Sequence, residues 1–133
     1  MSWTSIHYRD KQFLANDLLI EVWMLEVVHQ MDSNEDLDPW LDEVREEWRL
    51  QATAGFGFGP TPTLDKYVDT TAKRLSLLKY FAMALNAITL KGESISATDL
   101  AESGVGGPTV IYTQGIPTAM VIEVGRQFIA LLD

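Results

Sequence analysis

The chain has no cysteine, which excludes disulfide staples and thiolate metal sites and fits a reducing cytosol, so a cytoplasmic location is expected. Histidine is scarce too, with only His7 and His29. No apolar run is long enough to cross a bilayer. The richest, Leu18 to Val28, is interrupted by Glu21 and Glu26, and it reads as a buried helix rather than a span. The opening residues, Met1-Ser2-Trp3-Thr4-Ser5-Ile6-His7, lack the basic segment and apolar stretch of a secretory signal. Catalytic signatures are missing as well: there is no Gly-x-Ser-x-Gly elbow and no His-Glu-x-x-His pair. No catalytic residue is therefore expected, nor any cofactor or metal.

What is present fits a packed fold. The chain has 133 residues, 47% of them hydrophobic, with four tryptophans. A chain of that length buries enough surface to stand without staples, so residues 1–133 are expected to form a single helical domain. The expected fold class is all-α, an irregular antiparallel bundle of four to five helices, with room for one short β segment near 109–113.

Apolar spacing places the helices. Phe13, Leu14, Leu18, Ile20, Trp23 and their neighbours surround most of an axis from Asp10 to Gln30, the pattern of a central helix. Asp38 and Pro39 then read as N-cap and first helical residue. Behind them Trp40, Leu41, Val44 and Trp48 form one face and Asp42, Glu43, Glu46 and Glu47 the other. Gly55 is the expected stop. A long helix is expected from Thr63 to Leu90, with Leu64, Val68, Thr71, Leu75, Leu78, Ala82 and Leu85 as its seam. Ser96 and Asp99 form a capping box for a short helix ending at Gly104. The last helix starts at Pro117.

Charge is distributed unevenly. Of the net charge of −9, residues 1–60 carry −8, and eight carboxylates lie between Asp32 and Glu47 against Arg45 alone. Such a field repels nucleic acid and anionic membrane and attracts a basic partner; a purely solubilising role is the alternative. Next comes Gly55-Phe56-Gly57-Phe58-Gly59-Pro60. A helix before it and a proline after it argue against a phosphate cradle, while Phe56 and Phe58 either plug the core or meet a partner. Glu26 and His29 have the Glu-x-x-His spacing of one half of a di-iron site. The other half is absent, so His29 reads as an ordinary histidine near a helix end. Glu21 falls among Leu14, Leu25 and Val28 and needs a partner, with Lys73, Lys79 or Arg126 as candidates.

In size, acidity and layout the chain resembles the small cytoplasmic immunity proteins of bacterial toxin systems. The stretches concerned are Trp40-Leu41-Asp42-Glu43 through Trp48, the Gly-Phe-Gly-Phe-Gly-Pro linker leading to Leu64-Asp65, and Val124-Gly125-Arg126-Gln127-Phe128-Ile129. They span about a third of the chain, and the family comprises unrelated folds, so the resemblance transfers no residue role. It implies a non-enzymatic inhibitor that binds a basic toxin. The residues expected to form that surface are Asp42, Glu43, Glu46, Glu47, Leu50, Phe56 and Phe58. A self-associating adaptor, dimerising through the first and last helices, is the second reading. A ligand-binding bundle with a pocket among Trp23, Trp48, Tyr67 and Tyr80 is the third.

Overall fold

The computed structural model describes residues 2–55 and 59–133. The chain is mainly helical, but it opens with a β-hairpin whose second strand lies where the first helix is expected to begin. Strands β1 (Trp3–Tyr8) and β2 (Lys11–Asn16) pair antiparallel, from Trp3 opposite Asn16 to Tyr8 opposite Lys11. Arg9, in the two-residue turn, takes a positive φ of 55°, as tight hairpin turns require. The alternation is that of a half-buried sheet: Ile6, Tyr8 and Ala15 are buried, whereas Ser5, His7, Gln12 and Leu14 face solvent. Phe13 and Leu14 are therefore strand residues, and the helix starts later. Asn16 ends the strand, and its side chain accepts from the Leu18 and Leu19 amides, capping α1 (Asp17–Asp32).

Helix α1 is the centre of the fold, as its all-round apolar pattern predicts. It packs against α2 (Pro39–Thr53), α4 (Thr71–Thr89) and α6 (Thr118–Leu132). Each of the four contributes one aromatic to a common cluster: Trp23, Trp48, Phe81 and Phe128, all fully buried. The ring centroids stand 5.7 to 6.3 Å apart, the range in which aromatic pairs add to simple burial. Phe13 of β2 meets the edge of Phe128 at 5.3 Å, which fastens the hairpin to the cluster. Trp48 Nε1 donates to the Pro62 carbonyl at 3.1 Å. Trp23 and Trp48 thus form the core itself, not the lining of a pocket.

The expected helix over 63–90 is two helices. The short α3 (Leu64–Tyr67) ends at Val68, whose φ and ψ of −104° and 76° leave the helical region. Thr70 then caps α4 by accepting from the Lys73 amide. The break rotates the second segment, so the expected seam is buried only in part: Leu64 and Val68 are buried and Leu78 and Leu85 pack partly against the core. Leu75 is 59% exposed and Thr71 and Ala82 also face solvent; the buried face is Leu77, Tyr80, Phe81, Ala84 and Ile88.

Helix α5 (Ala97–Ser103) starts as expected, with the Ser96 hydroxyl accepting from the Asp99 amide, and stops at Gly104 with φ of 79°. Residues 109–113 form no strand; the second sheet instead pairs β3 (Ser94–Ile95) with β4 (Ile116–Pro117). Thr118 reinforces that pairing: its amide donates to the Glu93 carbonyl and its hydroxyl to that of Gly92. The described residues form six helices, more than the four to five expected, because of α3 and the division it makes.

The two glycine-rich stretches meet each other. The Gly106 amide donates to the Ala52 carbonyl at 2.8 Å. A Cβ on Gly107, which has φ of +103°, would come within 2.7 Å of the Gly55 Cα. Both positions are glycine because two backbones pass there without room for a side chain.

Candidate functional site

Helix α2 presents the acidic face as its periodicity predicts. Leu41, Val44 and Trp48 are buried, Trp40 is half-buried, and Asp42, Glu43 and Glu46 are exposed. Glu46 and Glu47 each stand three or four residues from both Glu43 and Leu50, which aligns the four along one side of the helix. Leu50 is 55% exposed, an apolar side chain at the end of an acidic row.

The carboxylates differ in how far they are already engaged. Arg45 binds Asp42 and lies 3.6 Å from both Asp32 and Glu46. Arg49 reaches Asp32 at 2.6 Å. Glu47 is half-buried, accepting from the Tyr67 hydroxyl and, at 3.3 Å, from Gln51 Nε2. Burial and this carboxylate hold the Tyr67 phenol above its ordinary pKa. Glu47 therefore ties α2 to α3, a structural task its spacing does not reveal.

Four exposed acids of the Asp32–Glu47 stretch make no ion pair among the described residues: Glu35, Asp36, Asp38 and Glu43. The uncompensated charge therefore lies on the connection between α1 and α2 and on the first turns of α2. Phe56 and Phe58, named above with this surface, lie outside the described residues.

A second cluster of charge surrounds Glu26, only 8% exposed on α1. His29 Nδ1 stands 3.6 Å from one of its oxygens and Lys91 Nζ 3.6 Å from the other. Burial pushes the carboxyl pKa up, but His29, Lys91 and Gln30 outweigh it, so it lies below the ordinary value. Lys91 approaches from just beyond α4, which sequence spacing could not show. Glu26, His29 and Lys91 border a cavity of about 70 Å³, together with apolar residues such as Leu25, Ile88 and Leu100. The Glu-x-x-His pair is thus joined by an ammonium. Among the described residues no three His, Asp or Glu side chains are arranged to hold a metal ion.

Glu21 has no basic partner among the described residues, and Lys73, Lys79 and Arg126 do not reach it. Burial, and then Asp17 one turn earlier, push its carboxyl up to about 7. Ser5 and His7 sit together on the solvent face of the hairpin, where the Ser5 hydroxyl donates to Gln12 at 3.4 Å. No helix among the described residues is long and apolar enough to cross a membrane.

Set against known proteins, the chain matches no protein family, no curated protein and no solved structure.

Proposed function

We propose that the chain is a non-enzymatic, acidic protein-binding domain, most concretely an immunity-type inhibitor of a basic toxin such as a nuclease. The reading takes residues 1–133 as one cytoplasmic domain whose helices pack as an irregular antiparallel bundle. The observation that carries it is the uncompensated row of Glu35, Asp36, Asp38 and Glu43, continuing along α2 to the exposed Leu50. Acids held without counter-ions raise the local concentration of a basic partner and speed its encounter. An exposed leucine beside them offers apolar contact once the partner has arrived.

Asp42 and Glu46 contribute less free charge than their exposure implies, because Arg45 stands against both. In a complex that arginine has to be shared or displaced. Glu47 supports the face from behind through Tyr67.

The test is stoichiometric inhibition of the basic protein encoded beside this chain's gene. Glu43→Lys should slow association by at least about tenfold at low salt, because a rim charge acts chiefly on the encounter rate. An association rate unaffected by Glu43→Lys removes this face from the interface.

A further inference from the structure

Strand β2 has an unpaired edge. The hairpin closes on Tyr8 and Lys11 around a two-residue turn, so that pair exchanges backbone hydrogen bonds and every second pair after it does likewise. Phe13 and Ala15 accordingly bond to β1, while the amides and carbonyls of Gln12 and Leu14 point away from it. No turn, loop or side-chain hydrogen bond among the described residues reaches those outward groups. Beside the edge, two open grooves of about 340 and 470 Å³ run between β2 and α6, and Gln127 borders both. Along one of them Trp3, Leu14 and Met120 are 58%, 61% and 49% exposed.

Free strand edges pair with other strands unless something blocks them. Between Lys11 and Asn16 there is no proline and no acid, and Lys11 is the only charge. The sequence around the edge is complementary to itself. Read antiparallel about Leu14, Lys11-Gln12-Phe13-Leu14-Ala15-Asn16-Asp17 sets Lys11 against Asp17, Gln12 against Asn16, Phe13 against Ala15 and Leu14 against Leu14. The residues with outward backbone groups, Gln12, Leu14 and Asn16, are the ones this register pairs. A two-fold axis through Leu14 therefore pairs the free groups of Leu14 and Gln12 with those of Leu14 and the Asn16 amide, and matches amide side chain with amide side chain. It also brings Lys11 toward Asp17 of the other copy, at the start of α1, where one carboxylate oxygen accepts from the Thr4 hydroxyl and the other is left for the ammonium.

We propose that β2 docks against β2 of a second copy, making a four-stranded antiparallel sheet across the dimer, with Leu14 at the two-fold axis. Lys11 lies 3.1 and 3.4 Å from the Asp133 and Ala130 carbonyls, so in the dimer its ammonium is shared between the end of α6 and the other copy's Asp17. This surface involves other residues than the acidic face of α2, and either can fail without the other.

Sedimentation of the full chain tests it, at about 100 micromolar, where an interface of modest area is expected to form. The wild type should be a dimer. Leu14→Lys places two ammonium groups at the axis and should weaken the dimer by about a hundredfold with unchanged helical circular dichroism. Lys11→Glu and Asp17→Lys should each be monomeric alone, and a 1:1 mixture should restore a dimer containing one of each, which no folding defect can mimic. A monomeric wild type overturns the proposal and leaves the edge to some other extended peptide. A dimer that survives Leu14→Lys, or a mixture that stays monomeric, overturns it too.

Discussion

Gly125→Ala puts the packing account to a quantitative test, because two effects of known sign oppose each other there. Gly125 lies within α6 and is buried. Replacing a glycine by alanine inside a helix ordinarily gains about 1 kcal/mol of helix propensity. Here the added Cβ would stand 2.5 to 2.8 Å from three carbons of the Trp23 ring. The ring would have to retreat by about 1 Å to reach ordinary contact. It has nowhere to go: Trp23 is fully buried, with Phe81 and Phe128 against it at 5.7 and 6.1 Å. Overpacking of this kind costs about 1–3 kcal/mol, and more where rigid groups surround the site. The clash should win, with a net loss of about 2 kcal/mol after the propensity gain. For a domain of this size that lowers Tm by roughly 6–10 °C. Urea unfolding followed by tryptophan fluorescence reads it, with the exposed Ala130→Gly in the same helix as the propensity control, expected to lose about 1 kcal/mol. A Gly125→Ala protein as stable as the wild type, or more so, would refute the placement of α6 against Trp23.

Leu77→Ala should cost about 2–5 kcal/mol as a buried truncation, while Leu75→Lys should change stability by less than about 0.5 kcal/mol; the reverse order in thermal melts would restore the uninterrupted seam. Tyr67→Phe removes the hydroxyl that Glu47 accepts from and should destabilise by about 1–2 kcal/mol in urea titrations; no change would mean that α2 and α3 are not joined there. Glu21 has a folded-state pKa raised to about 7, so the native state binds its proton more tightly than the unfolded chain does, and stability falls as pH rises from about 4.5 to 7. Glu21→Gln should flatten that slope and, with solvent screening of a half-buried group allowed for, raise stability at pH 8 by about 1–2 kcal/mol. An identical pH profile for the variant would contradict the raised pKa.

Helix ends and faces were legible where a local signal decides them. Pro39 starts α2, Ser96 and Asp99 bracket the start of α5, Gly104 ends it, and Pro117 precedes α6. Periodicity was misleading where two patterns overlap. Phe13 and Leu14 continue the apolar series of α1 backwards, yet they sit in a strand, because Asn16 caps the helix and tertiary contact with Phe128 holds the hairpin. The Asn16-Asp17 pair was the available signal. In α4 a heptad count runs on from α3 without a break, and Thr70, a capping residue, is the local signal against it. Long-range partners leave no local trace. Nothing near Glu47 in sequence names Tyr67, nothing near Glu26 names Lys91, and nothing in Gly55 predicts Gly107. The acidic face was readable as a face, but which of its acids are neutralised depended on where Arg49 points, toward Asp32 of the preceding helix.

The most direct test of the binding account is calorimetric titration of the chain, and of its Asp36→Lys/Glu43→Lys variant, into any basic protein that a neighbouring gene encodes, at low and at physiological salt. The account predicts a 1:1 complex that weakens as salt rises, and a loss of about a hundredfold in affinity for the variant. Equal affinity for the two proteins, or binding indifferent to salt, would contradict it.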